Sequence, residues 1–305
     1  WGFDRPGVME YGGEIEKKWN RVYGRTPTHT FSSGLYVQPA YDMERAKPLG
    51  YEPGELAVGY WTWNVGQGPL EFDLNAATAI APYSTWNFNR LTGEASYEFE
   101  KVLGIESKKR PDLNRNLIIN VKQKIIAGKI WSDNRGVPGQ EGYNIEGNSS
   151  NDMLRKNYLV DQFYGINETL FSHYHMPGEG NLRGFVGRGE RGAEALVSST
   201  TEFSLFKNIA KEDQDAIDLE FTAFVDGGIF WDRKNTSMDE DGDMLNPYFT
   251  SRSLADAGVG IRFSTKLFER DLYVRLDLPF YVYDDDGNTS DISFNNWVFS
   301  FQRSL

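Results

Sequence analysis

The sequence predicts an all-β protein, and more narrowly a closed antiparallel transmembrane β-barrel of about 12–16 strands. Three observations carry this. Apolar and polar residues alternate with a period of two, so one face of each segment is apolar. Several alternating segments run past ten residues, whereas strands of soluble proteins usually stop at about five or six. Aromatic side chains gather near segment ends, as at Trp231, Phe280, Tyr281, Tyr283 and Trp297, where a membrane barrel places its interfacial girdles.

Composition agrees. The 20 Phe, 16 Tyr, 8 Trp and 31 Gly among 305 residues favour strands and tight turns over helices. A formal net charge of −12, with no long basic cluster, argues against a nucleic-acid partner. Cysteine is absent, which removes disulfides and thiol catalysis. No run of 18 apolar residues exists, so a spanning helix is excluded while a spanning strand is not. The opening WGFDRPGVMEYGG lacks the apolar segment of a signal peptide, and reads as part of a mature chain or an excised portion of a longer one.

In chain order, strands are predicted over 9–19, 28–42, 56–66, 69–82, 90–103, 114–132, 158–175, 193–207, 216–232, 254–265, 271–284 and 294–304. In the first half, Leu70, Phe72, Leu74, Ala76 and Ile80 share one face, as do Leu117, Ile119, Val121 and Ile125. In DLEFTAFVDGGIFWD the apolar face carries Leu219, Phe221, Ala223, Val225, Ile229 and Trp231, opposite Asp218, Glu220, Thr222, Asp226 and Asp232. LADAGVGIRFS sets Ala255, Ala257, Val259, Ile261 and Phe263 against Asp256, Arg262 and Ser264. DLYVRLDLPFYVY sets Leu272, Val274, Leu276, Leu278, Phe280 and Val282 against Asp271, Tyr273, Arg275 and Asp277. The last segment alternates Trp297, Phe299 and Phe301 with Ser300 and Gln302. Hydrocarbon tolerates no open sheet edge, so strands of this kind must close on themselves, apolar face outward. The junctions alternate between short ones, such as TKLFERD, and longer polar ones at 233–253 and 285–293. No repeat, linker or low-complexity tract divides the chain, so residues 1–305 read as one barrel domain.

One segment does not fit the strand pattern. Residues 181–185, NLRGF, sit between the glycine-rich runs MPGEG and VGRGERG. Leu182, Arg183, Gly184 and Phe185 match the [V/L/I]RG[F/Y] motif that other barrels carry in a loop folded back inside. STTEFSLF follows, with Glu202, then FVDGGIFWD, with Asp226 and Gly228, and then DAGVGIRFST, DLYVRLDLPF and NWVFSFQRSL. With these five elements in order, roughly the last 125 residues resemble the BamA/TamA-type outer-membrane insertases and two-partner-secretion transporters. The resemblance implies a β-barrel with an inward-folded RGF loop in the bacterial outer membrane. Its partners would be the lipid bilayer, client outer-membrane or secreted polypeptides, and accessory periplasmic or lipoprotein subunits. It implies no cofactor, no metal and no catalytic residue in this chain. The family's periplasmic POTRA domains have no counterpart in it, and Leu305 stands where the family ends on an aromatic residue.

Parity adds a reading of the residues themselves. Glu202 shares a face with Ser198, Thr200 and Ser204, and Asp226 lies on the polar face of its segment, so both should point into the lumen. A guanidinium suits two partly desolvated carboxylates because it can fork between them. Arg183 is therefore expected on Glu202 and Asp226, with Gly184 allowing a tight turn and Phe185 packed inside.

No HExxH, GxSxG or Walker motif is present, so hydrolase and phosphate-binding chemistry have no anchor. His173 and His175 would share a strand face, but no third metal ligand is evident. DEDGD at 239–243 lacks the ligand spacing of a calcium loop, and DDDG at 284–287 reads as a hairpin turn. Two other roles are compatible with the pattern. One is a membrane anchor for a fused passenger enzyme, a zinc aminopeptidase or a lipase, since surface-antigen barrels also occur in such fusions. The other is a diffusion porin.

Overall fold

The computed structural model describes residues 2–5, 8–19, 28–39, 54–105, 115–146, 175, 179–186, 193–208, 218–234, 237–238, 244–245, 248–267, 270–285 and 296–303. Among these, the chain is all-β. The strands are β1 (Gly2–Arg5), β2 (Val8–Trp19), β3 (Thr28–Pro39), β4 (Glu55–Gln67), β5 (Leu70–Ala79), β6 (Phe88–Ile105) and β7 (Arg115–Ser132). They continue as β8 (Ala195–Asn208), β9 (Asp218–Lys234), β10 (Ser237–Met238), β11 (Met244–Leu245), β12 (Tyr248–Leu267), β13 (Arg270–Asp284) and β14 (Val298–Arg303). All but the small β10–β11 hairpin join one twelve-stranded antiparallel sheet in chain order. β1 and β14 form its two edges, and no ladder joins them among the described residues.

The long alternating runs become long strands, up to 20 residues in β12. Their two faces differ in kind. On β9, Phe221, Val225 and Ile229 are exposed, while Glu220, Thr222, Phe224 and Asp226 between them are buried. β8 repeats this, with Val197, Phe203 and Leu205 exposed and Ser198, Glu202 and Ser204 buried. The inner face is thus the polar one, and the outer face the apolar one. Where the inner face is apolar it packs as one cluster: Tyr36, Leu56, Phe88, Ile126, Leu196, Phe230, Leu254 and Val282 meet Tyr143, Leu182 and Phe185 of the connection between β7 and β8.

Several expected boundaries shift. β1 has no counterpart among the expected strands, because its four residues are too few to show a period. The strand expected over 158–175 lies outside the described residues except for His175. The polar junction expected over 233–253 is shorter, because the ladder between β9 and β12 continues to Lys234 opposite Tyr248.

Val282 breaks the expected stripe. It was expected on the outward face with Leu276, yet Leu276 is 51% exposed and Val282 only 1%. The reason is a bulge: Ala257 faces Tyr281 while the next residue, Gly258, faces Pro279, so β13 holds one extra residue at Phe280. Proline, lacking an N–H, suits such an interruption. Beyond it the parity reverses, which turns Val282 and Asp284 inward.

The inner face is filled by its own chain. Residues 137–146 and 179–186 lie against it and against each other, with the Gly180 N–H donating to Asn144 O at 2.9 Å and the Leu182 N–H to Ile145 O at 3.0 Å. Tyr36 of β3 donates its hydroxyl to Glu141, and Asp256 of β12 accepts from the Gly184 N–H at 3.0 Å. The sheet therefore curls far enough for strands seven apart in its order to grip one inner connection.

Candidate functional site

Arg183 opens a single 3-10 turn, Arg183–Phe185, whose three residues are all buried. The approach is tight. Asn181 adopts φ 57°, a left-handed conformation that asparagine tolerates better than most residues, and its side-chain amide donates to Thr200 at 3.1 Å. At Gly184 a Cβ would lie 2.6 Å from Val282 Cγ2 and 2.9 Å from Asp256 Cβ, so only glycine fits without displacing β12 or β13.

The turn delivers the guanidinium into a nest of carboxylates. Arg183 Nη2 lies 3.0 Å from Glu202 Oε2, Nε 3.2 Å from Asp226 Oδ2, and Nη1 3.6 Å from Asp277 Oδ2. Its plane sits over the Phe224 ring, 3.9 Å from the centroid, a placement that favours a cation. A second cation shares the nest: Arg275 Nη2 is 2.7 Å from Glu202 Oε2, and its Nε is 2.7 Å from Asp277 Oδ2. Asp226 and Asp256 face each other directly across β9 and β12. The sheet register sets this arrangement, because Glu202 pairs with Phe224, and Thr222 with Gly260, which in turn pairs with Asp277. Gly260 leaves the space that the Asp277 carboxylate occupies.

The structure thus brings Leu182, Arg183, Gly184 and Phe185 together with Glu202 and Asp226. Leu182 and Phe185 join the apolar cluster on either side of the ion network. Asp256, Arg275 and Asp277 complete it. Their signal in the sequence was their place on polar strand faces, but nothing there showed that three strands would converge on one arginine.

His175 lies at the rim of the nest. Its N–H donates to Phe299 O of β14 at 2.8 Å. Burial, and then the guanidiniums of Arg183 and Arg275, hold its imidazole well below the ordinary value, so it is neutral. His173 lies outside the described residues, as does the DEDGD run. Asp284 is ion-paired with Arg252 at 2.6 Å, and Asp285 accepts from the Ser253 N–H at 2.7 Å.

A second anchor holds the other inner segment, and it had no signature in the sequence. Glu141 is fully buried, with Arg90 Nη1 3.2 Å from Oε2 and the Tyr36 hydroxyl on Oε1. Tyr143 bonds Thr92 at 2.8 Å and donates to Leu91 O at 3.0 Å, and burial pushes its hydroxyl up to about 12. VPGQEGYNIE reads as an ordinary polar loop, because burial of a loop is decided by what surrounds it.

No protein-family model matches the sequence, and no curated protein matches it.

Proposed function

We propose that this chain is a closed outer-membrane β-barrel of the BamA/TamA type, acting in the insertion or translocation of polypeptides at the bacterial outer membrane. The observation that carries the reading is the seat of Arg183: a buried inner turn spelling Leu-Arg-Gly-Phe, clasped by Glu202 and Asp226 of adjacent strands. A diffusion pore needs no such seat, and the inner segments occupy the face that a pore would keep open. The outer face supports the membrane setting. Its large apolar side chains, among them Phe221, Val225, Phe263 and Leu276, stand exposed along strand after strand, and an apolar surface of that extent calls for an apolar solvent. Such a barrel works without nucleotide or metal, offering strand edges to a client while lipid supplies the apolar medium. Accessory periplasmic or lipoprotein subunits would present that client.

Two experiments test this. The chain has no cysteine, so single pairs introduced between Gly2–Arg5 and Val298–Arg303 report cleanly on closure. A closed barrel gives at least one pair that oxidises in vesicles, and failure of every pairing rejects closure. For activity, vesicles containing the protein should fold a urea-unfolded client barrel at least tenfold faster than empty vesicles. Insertion with no acceleration would instead favour the role of anchor for a fused passenger. Steady single-channel conductance would favour the pore.

A further inference from the structure

We infer that the outer face carries a built site for one phosphate-bearing anionic lipid, at the strand ends from which the inner connection departs; the inference rests on the membrane reading above. A groove of about 570 Å³ opens there, within the volume range of specific ligand sites. Its origin is visible in the register. One row across the sheet runs Leu91, Lys129, Ala195, Trp231, and the row below it runs Leu74, Gly93, Ala127, Val197. Three of the four middle positions are small, Gly93, Ala127 and Ala195, and they floor a trough between larger flanking residues, with Lys129 in the fourth.

The trough is apolar along its length and cationic at one end. Lys129 is exposed, with its ammonium 5.9 Å from the centre of the Trp131 ring. The other charge on the lining, Glu194, is matched by Arg233 at 3.0 Å, which leaves Lys129 as the uncompensated charge of the groove among the described residues. Trp131, Trp231 and Phe249 line the groove around Lys129, in the manner of the aromatic belt where headgroups meet hydrocarbon. An apolar channel with one cation beside these aromatics suits an acyl chain lying in the trough with its phosphate on Lys129. A zwitterionic lipid brings its own positive charge to the same place and gains less.

The test uses the full chain in detergent, titrated with phosphatidylglycerol or phosphatidylcholine bearing brominated chains, with quenching of tryptophan fluorescence as the readout. The expected preference for phosphatidylglycerol is about fivefold, the fold-change that corresponds to about 1 kcal/mol from one lysine. K129Q should lose that preference and retain binding of phosphatidylcholine. Gly93→Leu should abolish saturable quenching by both lipids. It is a safe substitution, because a Cβ at Gly93 meets nothing closer than 3.9 Å. Equal affinity for the two lipids in the unaltered protein, unchanged quenching in Gly93→Leu, or full competition by inorganic phosphate would each overturn the site. Reconstitution separates this failure from that of the membrane reading. A protein that inserts into vesicles but shows no preference rejects only the groove, whereas one that does not insert rejects both.

Discussion

Arg183 is worth more as a member of a network than as a single ion pair. Truncating it leaves Glu202 and Asp226 buried beside each other with one cation fewer, and stranding a buried charge costs about 3–5 kcal/mol. Arg183→Ala should therefore release the turn, raising hydrogen exchange of residues 179–186 while the strand ladders stay protected. Arg183→Lys should rescue little, since an ammonium cannot reach Glu202, Asp226 and Asp277 from one plane; full protection in the lysine variant would refute the fork geometry. Gly184→Ala should release the same segment with every charge in place, because its methyl group strikes Val282. His175 adds a pH dependence whose direction is fixed. In the unfolded chain the imidazole takes up its proton near 6.5, whereas burial and the neighbouring guanidiniums keep it neutral in the folded state. The unfolded state then binds more protons as pH falls, so the stability that depends on His175 is intact above about 6.5 and is lost below it. Comparing urea midpoints at pH 7.5 and 5.5 for the native chain and His175→Asn checks this, and an unchanged difference would remove His175 from the account.

At the level of the element, β13 shows where sequence reading succeeds and where it stops. Alternation located the strand to within a residue, and its first half faces as the period predicts, with Val274 and Leu276 out and Arg275 and Asp277 in. The period then fails, since a bulge adds one residue without changing the kinds of residue around it. Pro279 was the available hint, being a poor ladder donor inside a long strand. Spin labels placed singly from 274 to 284 should show oxygen accessibility with a period of two that changes phase at 279–280. An unbroken phase would rule out the bulge. The same limit explains the site: Glu202 and Asp226 were legible as inward carboxylates, while Glu141 was not, because no local periodicity tells a plug from a loop.

At the level of the whole molecule, twelve of the fourteen described strands form one continuous antiparallel sheet whose inner face is occupied by the connection between its seventh and eighth strands. That connection is anchored twice, by Glu141 on Tyr36 and Arg90 and by Arg183 on β8, β9 and β13. Severing the first anchor with Glu141→Ala should loosen residues 137–146 and leave Arg183 seated. Exchange that rises equally in both segments would show that they dock as one unit.

The seat also dictates an order of assembly. The arginine turn is synthesised before any of the strands that grip it, and the carboxylate that receives the Gly184 N–H lies 72 residues further along the chain. No growing chain can lodge the turn until β12 and β13 exist, so this part of the interior is organised late, whereas Glu141 meets strands that precede it in the chain. Folding of this kind is governed by distant contacts and is accordingly slow. Until the final hairpin arrives, the segment that will become the plug has to wait outside its own socket.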